Sequence, residues 1–303
     1  MLVFAASDKG GTGRTVTGCN IAYRLSLQGK DVSYLDFDFG SPTAGAIFEI
    51  GKYERGIDHG GLHSYVEGTV GDTHSVDVRA NSDRRGLRTL QPKAGRLVFY
   101  PGNRGGAEFP CTSEMVERCV ELFRRLEQEF EISVIDLSAG RSYAVQIALQ
   151  ATAKSVLQSV TARWLVFHRW TRQHIMAANG LVFSDYGVLE LGKEVGHDPE
   201  TLRNSIRFVR TAVPDLKSPL TADHAAQSKW LRTCHEDLKQ LALRRKLGYS
   251  ATLGETPMEP VLQWREQVIL DADVSSNIAN KGTVEAFEKL ALKLTDEAAW
   301  EIL

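Results

Sequence analysis

Glycines at positions 10, 11 and 13 stand between a lysine and an arginine-threonine pair in the segment Asp8-Lys9-Gly10-Gly11-Thr12-Gly13-Arg14-Thr15. Glycines so placed let the backbone turn tightly and bring successive N–H groups, that of Thr12 included, within reach of phosphate oxygens. A helix starting directly afterwards adds the positive end of its dipole, so the chemistry on offer is anion binding. The elements needed to position such a loop are legible on both sides. The apolar run Leu2-Val3-Phe4-Ala5-Ala6 predicts a strand before it, and the stretch from Thr15 to Gln28 predicts a helix after it. Against the general phosphate-loop pattern G-x-x-x-x-G-K-[ST] the segment departs twice, with Asp8 for the first glycine and Arg14 for the lysine.

Two further segments place carboxylates at strand ends. Val32-Ser33-Tyr34-Leu35 runs into Asp36-Phe37-Asp38-Phe39-Gly40-Ser41, and Ile132-Ser133-Val134-Ile135 runs into Asp136-Leu137-Ser138-Ala139-Gly140. Taken alone, a buried strand that ends in aspartate is ordinary in α/β proteins, since its carboxyl end meets solvent and a helix cap is needed there.

In combination they carry a resemblance. Lys9 to Thr15 resembles the deviant Walker A box, K-G-G-x-G-K-[ST], of the partition and cell-division positioning ATPases, the ParA/MinD superfamily, and only Arg14 departs from it. The resemblance implies that Lys9 reaches across a homodimer to the partner's nucleotide, with ATP sandwiched between two subunits. It further implies that Gly10 to Arg14 cradle the phosphates and that Thr15 ligates Mg2+. Of the two aspartates after the second strand, Asp36 would assist magnesium and Asp38 would position the attacking water. Asp136 would hold the metal through its water shell, and Gly140 would sense the terminal phosphate. Gly254-Glu255-Thr256-Pro257 and the tail from Ala279 to Leu294 look like the family's last strand exit and closing helix. The expected fold is α/β, a mostly parallel doubly wound sheet with helices on both faces, in one domain spanning 1–303. An insertion-rich region is expected at about 51–95.

The remaining segments read as scaffold. Residues 113–130 predict a helix capped by Ser113, with Val116, Cys119, Val120, Phe123 and Leu126 on its apolar face. Arg96 to Tyr100 predicts a strand ending at the loop Pro101 to Gly106, where Arg104 is a candidate phosphate or partner contact. Arg163 to His168 predicts a buried strand with Trp164, Val166 and His168 on one side and Leu165 and Phe167 on the other. A long helix is expected from near Thr221, ending in the cations Lys239, Arg244, Arg245 and Lys246. Histidines 59, 63 and 74 lack zinc-ligand spacing. The family's base-recognition residues are not identifiable in this sequence; Pro214, Asp215 and Pro257 are candidate positions, and adenine over guanine is what the resemblance implies.

Composition narrows the classes of function. With 43% apolar and 24% charged residues the 303-residue chain has ordinary globular usage. No apolar run approaches the roughly 18 residues that span a bilayer, and the expected placement is cytoplasmic. The four cysteines form no C-x-x-C pair, which speaks for reduced thiols and against an iron-sulfur site. A net charge of −2 offers no basic surplus, leaving only weak, nonspecific DNA binding. Five acidic residues against Lys289 and Lys293 between Glu285 and Glu301 make the tail's polar face one that anionic lipid repels.

Arg14 divides the functional readings. Guanidinium is planar, bulkier and forked where lysine is a point charge, so the exchange alters the site. The first reading is an ATP-binding, nucleotide-dependent dimer that positions or regulates an unknown protein partner, with weak or slow hydrolysis. The alternative is a non-hydrolysing pseudo-ATPase acting as a binding or scaffold module. A metabolic P-loop enzyme of the amidoligase or dethiobiotin-synthetase kind is a third class, and it has no use for Lys9.

Overall fold

A strand buried on both faces reads as a near-continuous apolar run, and the central strands of this fold are mostly of that kind, with a few buried polar residues among them. The computed structural model describes residues 1–89, 93–107, 109–216 and 225–301. Eight strands run as β1 (Leu2–Ala6), β2 (Val32–Phe37), β3 (Val76–Asp77), β4 (Leu97–Tyr100), β5 (Ile132–Leu137), β6 (Ala162–Arg169), β7 (Ile206–Val213) and β8 (Thr252–Pro257). They form one sheet in the order β3-β4-β2-β5-β1-β6-β7-β8. All neighbours pair in parallel except β3, which runs antiparallel to β4.

The helices that matter for the site are α1 (Arg14–Leu27), α2 (Ser113–Glu129), α3 (Tyr143–Thr152), α4 (Arg172–Phe183), α5 (Ala225–Arg244) and α6 (Lys281–Thr295). Side-chain alternation along the strands divides the core into two layers. Leu2, Phe4 and Ala6 of β1 face the layer that contains residues of α2, α3 and α4, whereas Val3 and Ala5 face the layer containing α1 and α6. Strand β6 follows the expected alternation, with Trp164 and Val166 in the first layer and Leu165 and Phe167 in the second. Trp164 stacks on Phe4 with ring centroids 4.7 Å apart.

Local structure departs from the sequence reading at one cap and adds elements elsewhere. Helix α2 is capped by Thr112, not Ser113: Thr112 is extended and its hydroxyl accepts from the Met115 amide at 3.4 Å, while Ser113 already lies inside the helix. The region 51–95, expected to be insertion-rich, holds helical turns at Leu62–Val66, Val78–Asn81 and Arg85–Arg88 as well as β3. Its His63 is buried, with Nε2 donating to the Ala107 carbonyl at 2.8 Å and the ring edge-on to Phe39 and Phe109. Strand β7 escaped the sequence reading because Arg207 and Arg210 interrupt its apolar run. The expected start of α5 near Thr221 lies outside the described residues.

A buried histidine on β6 sets a pH dependence. His168 is 1% exposed; its Nδ1–H donates to the Arg169 carbonyl at 3.1 Å and its Nε2 has no partner among the described residues. Burial pulls its pKa down to about 4. The unfolded chain, with an ordinary histidine, binds this proton at higher pH, so the contribution of neutral His168 is complete above about pH 6.5 and is lost as pH falls toward 4. The loss is on the order of 3 kcal/mol. Urea unfolding of wild type and His168→Gln across that window is expected to show the wild-type slope flattened in the variant; equal slopes would discount the histidine.

Candidate functional site

Parallel register builds the site. Asp36 on β2 lies opposite Asp136 on β5, and Asp136 lies opposite Ala5 on β1, shortly before the phosphate loop that starts at Asp8. The loop and both carboxylate strands therefore meet at the carboxyl ends of adjacent strands, where open α/β sheets place their binding crevices.

Backbone geometry fits the loop for anions. Gly11 and Gly13 adopt φ of +70° and +74°, values that favour glycine. Gly13 stands at the N-cap of α1 and has no side chain to cap it, so the first-turn amides keep no intrahelical partner. Gly140 closes the other side, with φ +81° and its amide donating to the Ser7 carbonyl at 2.7 Å. The next residue, Arg141, pairs with Asp8 at 3.3 Å and ties this turn to the loop. Lys9 is exposed.

Arg14 turns into the protein. Its guanidinium is 6% exposed: Nη2 donates to Asp38 Oδ2 at 2.8 Å, Nη1 to Ser7 Oγ at 3.2 Å, and Nε to Asp136 Oδ1. Asp136 is fully buried, and its Oδ2 accepts from the Tyr34 hydroxyl at 3.0 Å. The Thr15 side chain also hydrogen-bonds to this carboxylate. Burial alone would lower the Arg14 pKa, but Asp136 and Asp38 reverse this and hold it above the ordinary arginine value. Burial, and then the Asp136 charge, push the Tyr34 phenol well up, so it remains a donor.

Asp36 is bonded to the turn that follows it. Its carboxylate accepts from the amides of Ala44 at 3.0 Å and Asp38 at 3.4 Å, which fixes the turn that carries Asp38. Burial, followed by Asp136, pushes its carboxyl well above the usual range. Arg104 is not drawn to the loop and pairs with Asp58 at 3.3 Å.

A cleft of about 260 Å³ opens beside the phosphate loop. Gly11 to Gly13, Val16 and Thr17 form one wall, and Thr256, Pro257, Glu259 and Leu262 contribute to the opposite one. Arg169, Thr211 and Ala212 also line it. Pro257, a candidate base-recognition position, is among the lining residues; Arg169, Thr211 and Glu259 were not singled out for the site, since nothing in their local sequence says that β6, β7 and the segment after β8 converge on the loop. Ala212 at φ +51° sits where the β7–β8 register shifts, and this irregularity shapes the end of β7 at the cleft.

Comparison with known proteins agrees with this architecture. The MinD cell division protein of Aquifex aeolicus superposes with a TM-score of 0.59 at 18% identity, covering 97% of this chain and 96% of that one. The fold is that of the MinD and ParA P-loop ATPases. A second MinD-fold structure, the septum site-determining MinD of Pyrococcus horikoshii complexed with Mg-ADP, aligns over 98% of this chain and 96% of its own at 16% identity, with a TM-score of 0.51. In sequence, a protein of Emiliania huxleyi named as a septum site-determining MinD is 27% identical over 161 residues, 53% of this chain and 52% of the relative. The chain thus spans about half the length of the curated relatives it matches. No family model matches the chain.

Magnesium, which the MinD fold implies, can be tested against the donors present. Mg2+ demands near-octahedral oxygen coordination and is held through one or two carboxylates together with substrate phosphates. Here both oxygens of Asp136 already accept hydrogen bonds, Asp38 pairs with Arg14, and Asp36 is engaged by backbone amides. The residues do not fit the metal in this arrangement. Among the described residues no helix is long and apolar enough to cross a membrane.

Proposed function

We propose that this chain is a MinD/ParA-like nucleotide-binding module that holds ATP on the loop from Lys9 to Thr15 and positions or regulates a protein partner without appreciable hydrolysis. The observation that carries this reading is the Arg14 guanidinium joined to both Asp38 and Asp136. Asp38, the residue that would orient an attacking water, is held by a forked cation, and Asp136, the metal-side carboxylate, is held by the same cation. Binding needs less: the open loop amides, the helix dipole of α1 and the neighbouring cleft suffice to receive a triphosphate and its nucleoside.

Exposed Lys9 supports a nucleotide-dependent homodimer in which it reaches a second copy. The cytoplasm is the compartment proposed for such a module, and DNA contact, if made, is weak and nonspecific. A slowly hydrolysing switch is the second reading; it draws on Asp38 being 22% exposed, accessible enough to contact a water if Arg14 swings away.

Isothermal titration and phosphate release test the proposal together. Wild type is expected to bind ATP and to release phosphate at background rate, while Arg14→Lys, with a point charge in place of the fork, is expected to raise release at least tenfold above wild type. Wild-type turnover abolished by Asp38→Ala would establish the switch instead, and failure to bind any nucleotide would sink both readings.

A further inference from the structure

Arg14 occupies a larger chemical role than that of a substituted lysine. We propose that its guanidinium is a built-in cation standing where magnesium would act, so that this site takes the nucleotide as the metal-free polyanion. The inference rests on the nucleotide-binding reading above and deepens it.

Charge and donor geometry carry the argument. A metal bridging a triphosphate to the protein needs carboxylate oxygens, or the water shell they order, free to face it. The guanidinium already engages Asp38 and Asp136 from one plane, and Tyr34 takes the remaining oxygen of Asp136. An entering divalent ion would have to displace a buried, permanently charged group from two acceptors, leaving the displaced cation to find new partners in a space where it is only 6% exposed. Lysine in the same place could withdraw as a mobile point charge, whereas arginine is held by a rigid fork.

The same fork can also serve the ligand. Guanidinium carries five N–H donors; Nε to Asp136, Nη2 to Asp38 and Nη1 to Ser7 use three of them, so two would be available if phosphate oxygens approached the group. Charge-assisted pairing of arginine with phosphate is among the stronger hydrogen bonds available. Arg169 on the cleft wall and exposed Lys9 supply further positive charge beside the loop. Together with the α1 dipole they provide the neutralisation that a divalent ion gives elsewhere.

The test is ATP titration of the full chain, by calorimetry, in excess magnesium and again in EDTA. Wild type is expected to bind ATP at least as tightly in EDTA as in magnesium, and Arg14→Lys to lose about tenfold or more in affinity, equivalent to about 1.4 kcal/mol, when magnesium is withdrawn. A wild-type affinity that falls tenfold in EDTA overturns the built-in cation and leaves nucleotide binding intact. Wild type that binds in neither buffer, with an unchanged melting profile, overturns nucleotide binding itself and this inference with it. Because the wild-type arm decides between these outcomes, the inference stays testable even if Arg14→Lys folds poorly.

Discussion

Replacing Arg14 with alanine is expected to destabilise the protein by about 3–5 kcal/mol, the usual cost of stranding one partner of a buried ion pair. Asp136 has no exposure, and truncation of Arg14 would leave it with Tyr34 and the Thr15 side chain as donors but without a countercharge. The penalty would belong to the abandoned carboxylate more than to the lost pair, so a second substitution separates the two. Arg14→Ala combined with Asp136→Asn is expected to recover a large part of the loss, because the amide carries no charge to bury. Urea denaturation of the two single variants and the double variant forms the cycle. Strictly additive losses would show that Arg14 and Asp136 contribute independently, contrary to their contact.

Glu259→Ala is expected to cost about 3 kcal/mol and to weaken ATP binding as well, since hydrogen bonds to a charged group are worth roughly 1.5–3 kcal/mol and their buried donors would be left unmet. Glu259 is 2% exposed. Its Oε2 accepts from the Asn280 amide at 2.9 Å, the Asn280 side chain at 2.9 Å and the Thr283 hydroxyl at 2.6 Å, and its Oε1 accepts from the Val261 amide at 3.3 Å. One carboxylate thereby fixes the start of α6 and the chain that forms a wall of the cleft. Thermal unfolding and ATP titration of the variant check both effects; a stable protein with unaltered affinity would show that this wall is held by packing alone.

Much of this arrangement is legible in the sequence, for identifiable reasons. The loop, β1, β2 and β5 announce themselves locally, because glycine spacing and mostly apolar runs, two of them reaching an aspartate, are read from nearest neighbours. Helix α2 is similarly plain, with its apolar residues recurring at helical intervals. The guanidinium bridge was not legible. Nothing in the sequence around Arg14 says whether its side chain meets phosphate or turns inward, since that depends on parallel pairing of strands about a hundred residues apart: Asp36 lies opposite Asp136. The bonds of Asp36 are local by contrast, since its oxygens accept from the Asp38 and Ala44 amides of the turn that follows. Strand β7 shows the limit of hydrophobic pattern: Arg207 is buried there by donating to the Asn204, Ile206 and Ala299 carbonyls, a solution that needs the distant C-terminal segment.

The border of the sheet at β3 bears on how copies of this protein can meet. That strand is two residues long and reversed relative to its neighbour, so it presents too few unpaired backbone groups to template an incoming chain. Recruitment by ribbon extension is thereby blunted on that flank. On that flank any contact with another molecule falls to side chains, whereas the opposite border of the sheet, at β8, runs for six residues.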